Sequence, residues 1–480
     1  MAVNTGNIDV IIDNKEKEPP KCAHGPTLLF SRFDQNSGTE RRFYACSAFR
    51  DRKACPFFQW ADDKTKTSQE HQKCLRVPSL WPSMNHKCLR KRFLIVKRLD
   101  PSQRQLCTDC GLLLLPGEAE QHEGQGHNIV TGIKNVQLKH PTELFTPLDD
   151  NKTFAQYLFS PNTVEFVLET LTAQKATHVL CIGCPRIHEA IQCIKDGSMD
   201  SLLMDLDHRY LQMYSPKKLL QYNMLNHHFF AGETDRSTYE GFLGAGKVAV
   251  VIDPPFGIMV EALSHTLDRL QQDWRAHADL PGTGEETKLP VFWFFPYFME
   301  QRVIDTCPTL AMLDYKVDYV NHALFRGEGG RKKGSPVRIF TNIPAKQITL
   351  PADEGYWYCG DCERFSSLEN KHCDLCKACT TKDGCTYRHC DRCGRCVKPS
   401  RVHCDTCNVC DIPTHSCSKP RSIGCHICGK VGHKRRECPD KGGPHEQSLG
   451  RKGKRKMRTD MKANSRDRKK RRETKMDSVQ

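Results

Sequence analysis

No stretch of this 480-residue chain approaches the ~20 consecutive apolar residues that span a bilayer. The strongest runs, VAVVI at 248–252 and VFWFF at 291–295, have the length of buried strands. The opening MAVNTGNIDVIIDNKEKEPP lacks a basic start, and its apolar stretch is too short for a secretory signal. A soluble, intracellular protein is expected. An acidic excess is also lacking: 72 Lys plus Arg stand against 57 Asp plus Glu, a balance that favours a polyanionic partner. The excess is uneven, because residues 451–480 alone hold fourteen Lys/Arg and four Asp/Glu. With so few apolar residues, this tail is expected to be disordered. Its Arg-Lys-Gly-Lys-Arg-Lys and Arg-Lys-Lys-Arg-Arg runs suit nuclear or nucleolar targeting, or nonspecific RNA contacts.

What the chain has in abundance is cysteine. Of 27 cysteines, sixteen lie between Cys359 and Cys438. In an intracellular chain, Cys-x2-Cys pairs beside histidines point to zinc rather than disulfides. Seven regions follow: a disordered start at 1–20, a first finger at 21–61, and a zinc-binding region with a two-Cys, two-His finger at 62–140. A cysteine-poor body spans 141–350, a cysteine-rich segment 351–420, a knuckle 421–442 and the basic tail 443–480.

The body reads as α/β. Strands are expected at 178–182, 201–205, 248–252, 290–295, 315–321 and 336–341, and helices around 161–174, 186–195, 215–224 and 258–278. Strands alternating with helices imply a parallel sheet with crossovers. The short link between the last two strands requires an antiparallel pair. Five strands with helices, then a final hairpin, is similar to the order of Rossmann-like class I methyltransferases.

The strand at 248–252 runs into Asp253-Pro254-Pro255-Phe256, and ligands of open α/β sheets sit beyond the carboxyl ends of strands. This tetrapeptide resembles the (Asp/Asn)-Pro-Pro-(aromatic) box of amino-group methyltransferases. An adenine amine is a poor nucleophile because its lone pair is delocalised into the ring. The Asp253 carboxylate and the Pro254 carbonyl can each accept one N–H and so orient that lone pair, while Phe256 can stack on the base. The plainer reading is a proline-rich turn after a buried strand.

For the cofactor, S-adenosylmethionine, the loop after the first strand offers Ile182, Gly183 and Pro185, with one glycine where such loops usually carry Gly-x-Gly. The second strand ends in Asp205-Leu206-Asp207. An acid there can accept ribose hydroxyls, and Asp205 is favoured because it directly follows the apolar run. Gln156-Tyr157-Leu158-Phe159 resembles the Gln-Tyr segment that covers the cofactor in several RNA adenine methyltransferases. Asn226, in Asn-His-His-Phe, is expected near the third strand and the adenine side.

Cys22, His24, Cys46 and Cys55, with Arg41-Arg42-Phe43-Tyr44 and Pro-Phe-Phe-Gln-Trp, resemble a GRF zinc finger, whose arginines and aromatics suit single-stranded nucleic acid. Cys107, Cys110, His122 and His127 have two-Cys, two-His zinc spacing. His71, Cys74, His86 and Cys88 can complete a further site. The cysteine-rich segment supplies Cys359, Cys362, His372, Cys373, Cys376, Cys379, Cys385, His389, Cys390, Cys393, Cys396, His403, Cys404, Cys407, Cys410 and Cys417, with His415 among them. Three zinc sites are expected, their ligand pairing open. Residues 398–410 look like the cysteine-rich part of palmitoyltransferases, but no Asp-His-His-Cys motif or membrane helix accompanies them, so a metal scaffold is expected. Cys425, Cys428, His433 and Cys438 form a complete zinc knuckle, a module that binds single-stranded RNA.

In this order, the modules resemble the animal CCHC zinc-finger ribosomal RNA adenine-N6 methyltransferases over nearly the whole chain. The resemblance implies large-subunit ribosomal RNA as substrate, N6-methyladenosine as product and a nucleolar setting. Two other readings compete: a protein lysine or glutamine methyltransferase, since the same box presents other amines, and a noncatalytic RNA-binding scaffold with a decayed enzyme fold. Arg331, Lys332 and Lys333 are further expected to touch RNA at the active-site rim.

Overall fold

The computed structural model describes residues 8–12, 18–34, 39–49, 52, 55–62, 84–148, 156–278, 287–322 and 335–417. At its centre are strands β1 (His178–Ile182), β2 (Asp200–Asp205), β3 (Leu219–Asn223), β4 (Val248–Ile252), β5 (Val291–Pro296), β6 (Ala311–Met312) and β7 (Val337–Thr341). They lie in the order β3-β2-β1-β4-β5-β7-β6, with a short strand, His228–Phe229, antiparallel at the β3 edge. Strands β1 to β5 are parallel and β7 runs against both neighbours. This is the topology of a class I methyltransferase.

Sequence explains most of this. HVLCI and VAVVI are almost wholly buried because helices cover both faces of a parallel sheet, so neither strand alternates. One face carries α1 (Pro161–Ala173) and α2 (Pro185–Gln192); the other carries α3 (Glu233–Leu243) and α4 (Val260–His277). Ser160 caps α1 by accepting the Thr163 N–H, with Pro161 at the first helical position.

Two expected elements differ. Residues 215–224 make only a turn, with the Lys218 and Leu219 N–H groups bonded to the Ser215 carbonyl. They then form β3, whose pairing of Leu203 with Leu219 along β2 overrides the helical preference of Lys and Leu. Residues 315–321 form no ladder strand. The edge strand is Ala311–Met312, and the chain then crosses to Gln156–Ser160. There the Ser160 N–H meets the Asp318 carbonyl and the Val320 N–H the Leu158 carbonyl, both at 2.8 Å. Arg331, Lys332 and Lys333 lie outside the described residues. Among the described residues, no helix is long and apolar enough to cross a membrane.

Candidate active site and zinc modules

The site begins where β1 and β4 end together, Ile182 opposite Ile252. The Asp253 N–H donates to the Ile182 carbonyl at 3.1 Å, and the Gly183 N–H to the Met204 carbonyl at 3.0 Å. Gly183 has φ +65°, and a Cβ there would fall 2.9 Å from Met224 Cε and 3.0 Å from the Asp253 carbonyl oxygen. Only glycine fits such a left-handed, crowded position. One glycine therefore suffices, because Pro185 starts α2 directly behind it with φ already suited to a helix. The irregular loop is a compact variant, not a sign of decay.

Asp253 is the acid at the β4 end. Tyr319 donates its hydroxyl to Asp253 Oδ1 at 3.2 Å. Burial pushes the Asp253 carboxyl well above the ordinary carboxylate range, against the Tyr319 hydrogen bond, which lowers it. Pro254 is buried, while Pro255 and Phe256 are half-buried beside the cavity. Phe256 is stacked with Tyr157 at 5.6 Å between ring centroids and 28° between planes. Tyr157 in turn stacks on His322 at 4.1 Å. Nothing in the residues around Asp253 points to Tyr319 or His322. They arrive only because residues 318–321 cross to the strand-like segment at 158–160.

Asp205 and Asp207 both line the cavity but differ in state. Asp205 accepts the Asp207 N–H through Oδ1 at 2.9 Å, and burial, together with the neighbouring Asp207, pushes it up to about 7. Burial would raise Asp207 too, but Arg209 outweighs it and holds this carboxyl below the ordinary range. Arg209 Nη2 lies 2.6 Å from Asp207 Oδ2, which also accepts from Gln156 Nε2 at 2.8 Å. Asp207 is thus committed to the protein, leaving Asp205 as the acid better suited to a ligand. Gln156 and Arg209 serve the site by holding Asp207.

Three expected cofactor residues do not face the cavity. Ile182 is fully buried in the core and contributes its carbonyl only. Phe159 packs against Phe294 and Tyr319, because a bridge to Tyr319 turns its side chain inward. Asn226 donates to the Pro26 carbonyl at 2.7 Å and Ser47 Oγ at 2.9 Å, fastening the first finger instead. The β3 end supplies Asn223, Met224 and Leu225 in its place. Gln156, Tyr157, Leu158, Gly183, Pro185, Asp205 and Asp253 to Phe256 do line one cavity of about 680 Å³. That volume is within the range of small-molecule pockets. A glycine cradle, a strand-end acid and apolar walls fit an adenosyl cofactor.

The cysteines and histidines gather into tetrads. Zinc bonded to sulfur and nitrogen in a tetrahedron places those atoms about 3.5 Å apart. Cys46 Sγ lies 3.4 Å from His24 Nδ1, with Cys22 and Cys55 completing the group. Cys110 Sγ lies 3.3 Å from His127 Nδ1 and 3.6 Å from His122 Nδ1, with Cys107 completing the second. The cysteine-rich segment makes four interleaved sites, not three. They are Cys359, Cys362, His372 and Cys379; Cys373, Cys376, His389 and Cys396; and Cys390, Cys393, His403 and Cys410. In the fourth, Cys407 and Cys417 each lie 3.2 Å from His415 Nε2, and Cys404 lies 3.5 Å from Cys417. His372-Cys373, His389-Cys390 and His403-Cys404 each split between adjacent sites. The repeat His-Cys-Asp-x-Cys-x2-Cys at 372, 389 and 403 is the signal that was available for this pairing.

Cys385 belongs to none of these tetrads, while His415, also among the candidates, sits in the fourth. His86 Nε2 lies 2.9 Å from the Tyr214 carbonyl. Cys88 is exposed in the first turn of the helix His86–Arg98. His71, Cys74 and the knuckle ligands Cys425, Cys428, His433 and Cys438 lie outside the described residues.

The chain matches the family described as probable N6-adenine methyltransferase over residues 150–323 and the GRF zinc finger over residues 20–64. Fold and site together define a class I N6-adenine methyltransferase joined to a GRF finger. The human rRNA N(6)-adenosine-methyltransferase ZCCHC4 is 46% identical over 429 residues, covering 88% of this chain and 82% of the relative. The Xenopus tropicalis protein of the same name is 44% identical over 428 residues, 88% of this chain and 86% of its own. The chain belongs to this ZCCHC4 family of rRNA N(6)-adenosine-methyltransferases. Its cofactors are S-adenosylmethionine and zinc.

Proposed function

We infer that this protein methylates the N6 amine of an adenosine in ribosomal RNA. The observation that carries this is Asp253-Pro-Pro-Phe, fixed by the Asp253 N–H bond to Ile182 and packed directly against Gly183. S-adenosylmethionine, when bound, supplies an electrophilic methyl group. The chain's part is positional. Asp205, Gly183 and Pro185 would hold the cofactor. The Asp253 carboxylate and the Pro254 carbonyl would each accept a hydrogen bond from one amine N–H, aiming the lone pair away from the ring. Tyr319 occupies one side of Asp253, and Phe256 with Tyr157 offers aromatic faces for the base. The same arrangement lets a proton leave the amine toward Asp253 after transfer.

The GRF finger and the knuckle spacing support an RNA substrate over a protein one, since a lysine or glutamine needs neither. Large-subunit RNA and a nucleolar setting agree with the family resemblance and with the basic tail. The test incubates the protein and S-adenosylmethionine, labelled on its methyl group, with deproteinised cellular RNA in one arm and protein extract in another. Label recovered as N6-methyladenosine supports the reading; label confined to protein rejects it.

A further inference from the structure

The GRF finger touches the methyltransferase along the cavity at the ends of β2 and β3. Its turn Cys46-Ser47-Ala48 lines the same cavity as Gly183, Asp205 and Asp253. Asn223, closing β3, donates Nδ2 to the His24 carbonyl at 2.9 Å and to Ser47 Oγ at 2.8 Å. Asn226 adds its bonds to Pro26 and Ser47. Leu206, the residue after Asp205, and Ala48 both pack against the apolar cluster containing the ligands Cys22, Cys46 and Cys55. On the finger's other side, Gly25 sits on His228 so closely that a Cβ would fall 2.4 Å from that ring. The contact is hydrogen-bonded and tight. It is not a tethered module resting on a surface.

An acid at the end of β2 would accept the ribose hydroxyls, which would place the cofactor base near the residue after that acid and the end of β3. Here those positions are Leu206, Asn223, Met224 and Leu225, and all four line the cavity. Leu206 and Asn223 are the two through which the finger is fastened. We propose that the GRF finger is the outer wall of the adenosyl pocket, with Ser47 and Ala48 facing the cofactor base, so that cofactor affinity and integrity of the Cys22, His24, Cys46 and Cys55 site are linked. The proposal rests on the assignment of this cavity to S-adenosylmethionine. Linkage is reciprocal: whatever the folded finger adds to cofactor binding, the cofactor returns as protection of the finger.

The test uses the full-length protein and S-adenosylhomocysteine, which binds without reacting. Calorimetry on Ala48→Gly, Ala48→Leu and Ala48→Trp would show affinity falling with side-chain volume, by about tenfold or more for Trp, the scale of overfilling a packed site. Zinc content and melting temperature establish that each variant is folded. A second measurement needs no variant: cysteine alkylation in the presence of a chelator, read by mass spectrometry with and without S-adenosylhomocysteine. Cys22, Cys46 and Cys55 should be protected severalfold while Cys404 and Cys407, in the distal array, are not. Wild-type binding that Ala48→Trp leaves unchanged, or protection no greater at the finger than at the array, would overturn the wall alone. Absence of any binding by the wild-type protein would refute the cofactor assignment, and the wall with it.

Discussion

Asp253 must be ionised to accept an amine proton, yet burial raises its carboxyl well above the ordinary range. The rate should therefore carry an acid limb set by this residue. At low pH the carboxyl is neutral and kcat/KM is small. It rises as pH climbs through the raised value and levels off above it, because kcat/KM reports the free enzyme's essential groups. Tyr319 donates to Oδ1 at 3.2 Å, which favours the carboxylate. Tyr319→Phe removes that donor, so the limb moves to higher pH. Asp253→Asn keeps an acceptor oxygen but nothing that titrates, so its profile loses the limb and its plateau is lower. Asp253→Ala removes the acceptor altogether. A hydrogen bond to a charged group contributes about 1.5–3 kcal/mol, so its kcat/KM should fall by roughly 10- to 150-fold. The assay is methyl transfer to RNA from pH 5 to 9 at saturating cofactor and subsaturating RNA. An acid limb retained in Asp253→Asn, or one that Tyr319→Phe leaves in place, would refute the assignment.

Further outcomes follow from the same geometry. Gly183→Ala, with φ +65° and a Cβ 3.0 Å from the Asp253 carbonyl, should weaken cofactor binding and cost about 1–3 kcal/mol of stability, measurable by calorimetry and denaturant melts. Asp205→Ala should raise the dissociation constant for S-adenosylhomocysteine more than Asp205→Asn does, since Asn keeps one acceptor. Because the native Asp253 carboxyl holds its proton more tightly than the unfolded one, its contribution is most favourable at acid pH and declines as pH rises toward the native value. Asp253→Asn should therefore melt higher than wild type at pH 8 and equally at pH 4, by about 2–4 °C for each kcal/mol of relieved burial. Native mass spectrometry should count seven zinc ions, six from the tetrads described and one from the knuckle. A count of six would show that the interleaved array, or the knuckle, is incomplete.

The parts legible in sequence were those whose information is local. Asp253-Pro-Pro-Phe carries strand, turn and chemistry in consecutive residues, and VAVVI before it fixes its place in the sheet. Cys-x2-Cys spacing announces metal for the same reason. Tyr319 was invisible because it reaches Asp253 from 66 residues away, through a crossing that hydrophobic pattern read as a strand. Asn226 was placed on the right strand end but given the wrong partner: the residue pattern contains no sign that a finger two hundred residues upstream would dock there. Interleaving hides the array's pairing, since each of the first three sites uses a histidine that neighbours the next site's first cysteine. Lys and Leu favour a helix locally at 215–224, while the pairing with β2 that decides β3 is nonlocal.

The most direct measurement of the central claim uses ribosomal RNA from cells lacking this protein, incubated with purified protein and S-adenosylmethionine and digested to nucleosides for quantitative mass spectrometry. The expected result is N6-methyladenosine rising to a fixed amount per RNA molecule and then stopping, with no rise in Asp253→Ala. N6-methyladenosine that fails to form although S-adenosylhomocysteine binds, or that forms equally with Asp253→Ala, would contradict it.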